Sequence, residues 1–329
     1  MATINDVAVK AGVSTATVSR ALNGKSTVDP ALVARVLEAA AELGYQPNGP
    51  ARNLRRQETA VLALIISDVE NPFFTSIARG VEDVAHTVGY SVVLCNSDEN
   101  PDKERRYIDV AIQERVAGVV LSPTGTATNV DLLAARGTPV VAVDRPLPEA
   151  TDMVLVDTRH AAKEATAHLI AQGYERVGCI TGPPGIRTAD DRLAGYRDAM
   201  RAAKRRSSAK VVRRTGYRAD GARQATTELL TQDERPDALL VANSTMAIGV
   251  LDALSGLGLR PGKDIGVVAF DDAPWTPLVS PPLSVVSQPA YEIGRIAAEL
   301  LLARIADTTR EPTTTTLNAT LITRGSSRR

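Results

Sequence analysis

The stretch TINDVAVKAGVSTATVSRALN, residues 3–23, predicts two short helices joined by a tight turn. Thr3 is placed to cap the first helix, with Asp6 reaching back as the capping-box partner. Apolar residues then fall on one face at helical spacing until Gly12 ends the helix. The first helix therefore has an apolar side that must pack against a neighbour.

The second helix of this stretch has one apolar and one polar side. Ser14 is placed to cap it, and Val18 and Leu22 turn inward four residues apart. A polar second helix after a tight turn is typical of a DNA-binding helix-turn-helix, whose outer residues meet the major groove. The residues expected on that outer side are Thr15, Ala16, Thr17, Ser19, Arg20 and Asn23.

A third helix is predicted to complete the same small core. Asp29 is its expected cap, Pro30 its first residue, and an apolar stripe follows until Gly44. On this pattern alone, a generic three-helix bundle with a solvated polar face remains an alternative to a DNA-binding unit.

The segment after these helices favours DNA binding. Residues 48–56 hold a single large apolar residue, Leu54, among polar and basic neighbours, and are too short for a stable helix without a partner. Together with residues 3–23, the tetrad Ala51-Arg52-Asn53-Leu54 resembles the lactose/galactose-repressor (LacI/GalR) family of bacterial transcription regulators. The resemblance covers nearly the whole chain.

The resemblance implies three parts. They are a helix-turn-helix headpiece (1–46), a hinge helix with its linker (47–59) and an effector-binding and dimerisation domain (60–329), in which one lobe takes about 60–156 and 289–318 and the other about 157–288 and 319–329.

Apolar strand-like runs alternate with helical stretches from residue 60 onward, in two series that begin at Val61 and Val177. Such alternation predicts parallel sheets covered by helices on both faces. We therefore expect an all-α headpiece followed by an α/β domain with two doubly wound lobes. The resemblance implies the type I periplasmic-binding-protein fold, with the effector between the lobes.

Residues that follow strands face the ligand cleft in such folds. The aromatic candidates for a stacking surface are Phe73, Phe74, Tyr217 and Trp275, although the two phenylalanines could instead belong to the core. The polar candidates, from the same rule and from the family pattern, are Asp144, Arg192, Asn243, Asp271 and Gln288. Carboxylates, amides and a guanidinium together suit the hydroxyls of a neutral polyol.

The sequence shows no metal-ligand spacing, nucleophile-base pair or phosphate-binding loop. The formal net charge is zero, and residues 1–58 carry seven basic and five acidic residues, so phosphate attraction depends on placement. Cys95 and Cys179 lie in separate apolar runs, which fits free thiols. We expect no metal ligands, catalytic residues, signal peptide or membrane helix, and a cytoplasmic, nucleoid-associated location.

The expected function is sequence-specific transcriptional regulation, most simply repression. The affinity for the operator is expected to be controlled by a small molecule, most simply a sugar or sugar derivative, bound between the two lobes. A homodimer would place two headpieces on a pseudo-palindromic operator, with Thr15, Ala16 and Arg20 on base edges and Thr17 and Ser19 on phosphates. The resemblance implies that Leu54 enters the minor groove, with Ala51, Arg52 and Arg55 around it. Thr3, Ser14 and Asn23 complete the expected DNA-contacting set.

Other functions remain open at this stage. A sugar-binding transport component would share the bilobed fold, an enzyme could use the same scaffold, and a protein co-regulator could replace the small molecule. Two residues depart from the family pattern: Ser244 stands where many members have Asp, and Pro50 where the hinge has an apolar residue. The basic stretch 201–214 is most simply a solvated loop, although a second nucleic-acid contact is conceivable.

Overall fold

The chain forms two compact units, residues 1–59 and 60–329. The computed structural model describes residues 2–22, 28–45, 59–125, 128–147, 151–205 and 208–329.

Three helices lie in the described residues of the first unit, and their predicted caps are confirmed. The Asp6 N–H donates to Thr3 Oγ1, the Thr3 N–H donates to the Asp6 carboxylate at 2.7 Å, and Gly12 adopts a left-handed conformation. The Ala31 N–H donates to the Asp29 carboxylate at 2.8 Å. The helices are α1 Ile4–Ala11, α2 Thr15–Leu22 and α3 Pro30–Glu42.

Their common core is small. One valine from each helix, Val7, Val18 and Val36, is fully buried among alanines. The Arg35 guanidinium donates to the carbonyl oxygen of Ala11 at the end of α1, where helix carbonyls lack partners of their own. Short side chains thus let three short helices approach closely.

The second unit contains two six-stranded sheets with the same order of strands. The first sheet is parallel throughout, in the order β11-β5-β4-β3-β1-β2. Its strands are β1 Val61–Ile66, β2 Ser91–Asn96, β3 Gly118–Leu121, β4 Val140–Val143, β5 Asp152–Val156 and β11 Thr314–Leu317, and the helices beside it are α4 Pro72–Thr87, α5 Pro101–Gln113, α6 Asp131–Ala135 and α11 Ala290–Ala306.

The second sheet repeats this plan in the order β12-β10-β9-β8-β6-β7, with only β12 antiparallel to its neighbour. Its strands are β6 Val177–Thr181, β7 Val212–Arg214, β8 Ala238–Val241, β9 Gly266–Phe270, β10 Ser284–Ser287 and β12 Thr320–Ile322, and its helices are α7 Thr158–Ala171, α8 Arg187–Ala202, α9 Ala219–Leu230 and α10 Ser244–Gly256. The predicted α/β architecture with two doubly wound sheets is confirmed.

We call each sheet with its helices a lobe. The chain passes from the first lobe to the second after β5, returns after β10, and crosses again between β11 and β12. Central strands such as β3, β6, β8 and β9 are buried along their whole length, as expected for parallel strands covered on both faces.

Helix pairs within the lobes pack at glycines. A Cβ atom on Gly80 of α4 would lie 2.2 Å from the carbonyl oxygen of Tyr291 in α11. In the second lobe, a Cβ atom on Gly249 of α10 would lie 1.9 Å from the carbonyl oxygen of Ala219 in α9. Only glycine permits this backbone approach, so both lobes depend on it in the same way.

No helix in the described part of the chain is long and apolar enough to cross a membrane.

Candidate functional site

A cavity lies between the carboxyl ends of the strands of the two lobes. Both lobes supply its walls, and most of its lining is polar. The lining residues are Asp68, Asn71, Phe73, Phe74, Glu99, Asp144, Arg145, Thr188, Arg192, Tyr217, Asn243, Asp271 and Gln288.

The first lobe gives the cavity an aromatic corner at the start of α4. Asn71 caps this helix by accepting the Phe73 N–H at 3.0 Å. Phe73 and Phe74 meet edge to face, with ring centres 5.1 Å apart. Both rings line the cavity and also belong to the apolar core of the first lobe, so the core interpretation of these residues is compatible with a place at the cavity.

A buried arginine forms the charged part of the first lobe's wall. Arg145 donates to both carboxylate oxygens of Glu99, at 2.8 and 2.6 Å, and to the carbonyl oxygen of Pro123 at 2.9 Å. Asp144 lies 3.4 Å from its Nε atom. Burial raises the pKa of Asp144, against the opposing effect of Arg145. The arginine is therefore held rigidly before any ligand arrives.

The second lobe carries an equivalent acid next to a different arginine. Asp271 follows β9 and accepts a hydrogen bond from Gln288 Nε2 at 2.6 Å. Arg192 of α8 donates to the carbonyl oxygen of Ala242 at 2.6 Å and lies 4.3 Å from the ring centre of Phe270. Burial raises the pKa of Asp271, with Arg192 and Gln288 opposing it.

Asn243, Tyr217 and Thr188 complete the second lobe's wall. Asn243 caps α10 by accepting the Met246 N–H at 2.7 Å. Tyr217 is buried, which raises the pKa of its hydroxyl, and its ring centre lies 5.7 Å from the Arg145 guanidinium across the cavity. An aromatic ring and a guanidinium thus face each other from opposite lobes.

Some buried polar atoms of the second lobe have bonding capacity left for a ligand. Arg192 Nε and Gln288 Oε1 are among those that have no hydrogen-bond partner within the residues that the structure describes. Leaving a buried donor and a buried acceptor without hydrogen bonds destabilises the ligand-free protein. A ligand that hydrogen-bonds to both atoms removes this cost, which favours its binding.

The structure brings together eight of the nine predicted effector residues. The exception is Trp275, which is half-buried, packs against the apolar core of the second lobe and is not among these lining residues. Its large apolar surface is used in that core, which a position after a strand does not reveal.

Five lining residues were not predicted: Asp68, Asn71, Glu99, Arg145 and Thr188. Asp68 lies two residues after β1, and Asp144 directly follows β4, so the rule that found Asp144 could also have found Asp68. Nothing in the local sequence pattern pointed to Glu99.

The predicted outer side of α2 is exposed in part. Thr15, Ala16 and Arg20 face solvent, and Arg20 Nε donates to the carbonyl oxygen of Ala16 at 3.2 Å. Thr17 and Ser19 are half-buried, and the Thr17 N–H donates to Ser14 Oγ at 3.1 Å. Thr3 is exposed, with its side chain in the cap of α1. The predicted contacts Asn23, Ala51, Arg52, Leu54 and Arg55 lie outside the described residues.

The basic stretch 201–214 has acidic partners in its own lobe. Arg214 pairs with Asp190 at 2.5 Å, and Arg201 pairs with Asp198 at 3.2 Å. These contacts favour a structural, solvated role for the stretch.

Both described cysteines are free. Cys95 is half-buried, and burial raises the pKa of the Cys179 thiol to about 12. Within the described ranges, no group of three or more His, Cys, Asp or Glu side chains is placed to hold a metal ion.

Comparison with known proteins gives matches along the chain. Residues 3–48 match the family model of bacterial regulatory proteins of the lacI family, and residues 166–327 match a periplasmic binding protein-like domain. The ribose operon repressor of Halalkalibacterium halodurans is 37% identical over 305 residues, which are 93% of this chain and 91% of that protein.

Two solved structures are similar over the whole chain. The lac repressor dimer bound to operator and the anti-inducer ONPF has a TM-score of 0.88 at 26% identity, covering 100% of this chain and 99% of that one. The complex of the transcriptional regulator CelR with cellobiose has a TM-score of 0.76 at 31% identity, covering 99% of this chain and 100% of that one.

Proposed function

The chain belongs to the LacI family of bacterial regulatory proteins, and from that membership we propose that its effector is a neutral monosaccharide of pentose size held between the two lobes. The protein is a DNA-binding transcriptional repressor that responds to a small molecule, and it is not an enzyme. The proposal concerns which molecule it senses and which residues hold it.

The charges around the cavity favour an uncharged ligand. Each of the two buried arginines already lies beside an acid: Arg145 beside Glu99 and Asp144, and Arg192 beside Asp271. An anionic ligand would be repelled by these carboxylates, and this repulsion would offset its attraction to the arginines. Hydroxyl groups, by contrast, can donate to the acids and accept from the arginines.

The aromatic surface of the cavity favours a sugar ring. Phe73, Phe74 and Tyr217 offer apolar ring surface to the C–H groups of a sugar. A ribose operon repressor is among the similar proteins. D-ribose is therefore the first effector to test.

The DNA-binding part of the proposal rests on the exposed side of α2. We assign Thr15, Ala16 and Arg20 to base edges and Thr17 and Ser19 to phosphates, because a guanidinium suits guanine and a methyl group suits thymine. The proposed parts are the headpiece 1–46, the hinge 47–59 and the effector domain 60–329. As a DNA-binding regulator, the protein would act at the nucleoid in the cytoplasm.

A homodimer is the proposed assembly on DNA. Apolar side chains remain exposed on both lobes: Leu278 is 82% exposed, and Val93, Leu94, Val110 and Ile248 are about half exposed. Covering such side chains with a second copy would remove apolar surface from water. Two headpieces would then meet a pseudo-palindromic operator.

The observation that carries the effector proposal is the pair of buried atoms without partners, Arg192 Nε and Gln288 Oε1. Isothermal titration should show that D-ribose binds, that cellobiose binds more weakly, and that ribose 5-phosphate does not bind. Trp275→Phe, outside the cavity, should keep the affinity, whereas Gln288→Ala should lower it. Tighter binding of the phosphorylated sugar, or equal affinity in the two variants, would contradict the assignment.

A further inference from the structure

One arginine of the second lobe joins it to the first lobe at the mouth of the cavity. Arg218, at the start of α9, lies 3.3 Å from Asp68 and 3.4 Å from Glu70, and also donates to Asp98. All three carboxylates belong to the first lobe, after β1 and β2. The arginine is therefore the meeting point of a cluster that exists only when the lobes are together.

The backbone of the first lobe presents this cluster in a fixed way. Asp98 and Glu99 both adopt left-handed conformations, with φ of 57° and 54°. The Glu99 N–H donates to the carbonyl oxygen of Ser67 at 3.0 Å, which ties the loop after β2 to the loop after β1. The backbone of the first lobe therefore fixes the positions of Asp98 and Glu99 independently of Arg218.

Two consecutive residues of the first lobe, Asp98 and Glu99, hold contacts to two consecutive residues of the second lobe, Tyr217 and Arg218. Asp98 contacts Arg218, while Glu99 holds Arg145 against the ring of Tyr217, the residue before Arg218. One of these contacts lies at the cavity wall and the other at its mouth. Separating the lobes breaks both at once.

We propose that Arg218 is a positioning residue for effector binding, which holds the lobes closed and directs the cavity-lining carboxylate of Asp68. When the lobes part, Asp68, Glu70 and Asp98 lose this shared cation and repel one another. Closure removes that repulsion and also fixes one oxygen acceptor of the effector site.

Lys103 provides a matched control. It lies 3.0 Å from the same Asp98 carboxylate, but it belongs to α5 of the first lobe and bridges nothing across the mouth. Arg218→Gln and Lys103→Gln therefore each remove one positive charge beside Asp98, and only the first removes a link between lobes. Arg218→Lys keeps the charge without the forked geometry.

Lobe separation can be measured without any effector. Spin labels on cysteines introduced at the exposed positions Leu132 in the first lobe and Gln224 in the second report the distance, with labelled chain diluted into unlabelled chain. Arg218→Gln should shift the distance distribution of the ligand-free protein toward open lobes, and raised salt should do the same to the unsubstituted protein, because the Arg218 side chain is 42% exposed.

Lys103→Gln should leave the distribution unchanged, and Arg218→Lys should restore part of the closed population. Identical distributions for Arg218→Gln and the unsubstituted protein, or an equal shift in Lys103→Gln, would overturn the proposal.

A second readout uses D-ribose and rests on the proposed function. Arg218→Gln should release ribose about tenfold faster, with little change in the rate of association, since several partly exposed ion pairs are lost after binding. If ribose fails to bind the unsubstituted protein, the effector assignment fails while the label distances still decide the role of Arg218. Equal release rates with normal ribose binding would count against Arg218.

Discussion

The two lobes place an aspartate at the same point of the same topology. Asp144 follows β4 and Asp271 follows β9, each with a left-handed φ, of 65° and 73°, and an N–H that donates to the next strand of its sheet. The following residues differ. Arg145 is buried in the cavity wall, whereas Asp272 pairs with Arg324 at 2.8 Å away from the cavity.

The comparison shows what topology determines and what it leaves to the sequence. The strand ends provide two equivalent places for an acid, one on each side of a ligand. The cation beside each acid comes from different elements: the next residue in the first lobe and α8 in the second. A bound sugar would therefore meet a carboxylate and a guanidinium from each lobe, although the two guanidinium groups come from topologically different positions.

The largest expected effect concerns the buried ion pair of the first lobe. Glu99→Ala would leave the Arg145 guanidinium, only 5% exposed, without its forked partner, and should lower the free energy of unfolding by about 3–5 kcal/mol. Urea denaturation measures the change. Asp272→Ala in the second lobe should cost less, because the Arg324 side chain is 18% exposed. An equal loss in the free energy of unfolding for the two variants would contradict the greater importance of the buried ion pair in the first lobe.

The next effect separates the two equivalent aspartates by ligand affinity. Asp271→Ala should weaken D-ribose binding about 100-fold, because it removes a charged acceptor and releases Gln288 from its fixed orientation. Asp144→Ala should weaken it about tenfold, because Glu99 still holds Arg145 in place. Calorimetry on both variants measures the two losses of ribose affinity. A larger loss in Asp144→Ala than in Asp271→Ala would contradict the prediction.

Helix packing should respond alike in the two lobes. Gly80→Ala and Gly249→Ala each force a methyl group against a backbone carbonyl and should cost about 1–3 kcal/mol of stability. Gly256→Ala is the control, because no atom lies within 4 Å of its Cβ position, and it should be neutral or stabilising by up to about 1 kcal/mol. If thermal unfolding shows both packed variants at the stability of the control, the close approach is not required.

The smallest effects are pH dependences of opposite sign. Burial raises the pKa of Asp271 in the folded protein, so its contribution to stability is full below the unfolded value near 3.8 and is lost as pH rises through the folded pKa. Hydrogen bonding from Lys103 and the charge of Arg218 lower the pKa of Asp98, so its contribution is present above 3.8 and is lost on acidification through the folded pKa.

Urea unfolding at several values from about pH 3 to about pH 7 measures both contributions. The stability of the unsubstituted protein relative to Asp271→Asn should fall as pH rises, and relative to Asp98→Asn it should fall as pH drops. The same slope in both comparisons would show that burial and ion pairing do not act on these carboxyls as described.

Much of the fold could be predicted from the sequence, because caps and apolar runs act locally. Thr3 and Asp29 cap the first turns of their helices, and Gly12 ends α1, all through contacts with residues close in sequence. The strand that begins at Val61 is a continuous apolar run. The site was predictable where side chains directly follow strands, as Asp144 and Asp271 do.

The rest depended on tertiary contacts that no short pattern carries. Glu99 reaches Arg145 across 46 positions of sequence, and it does so from a left-handed backbone without glycine. Trp275 is the converse case. Its position after a strand predicts a place at the cavity, but tertiary packing places its ring against the apolar core of the second lobe.

The most direct test of the account is operator binding with and without effector. An operator selected from random duplex DNA should have two-fold symmetry, and D-ribose should change the affinity of the protein for it by a factor between several-fold and about 100-fold. Asp271→Ala should bind the same duplex and ignore ribose. A response to ribose that is unchanged in Asp271→Ala, or no preference for any duplex, would contradict the account.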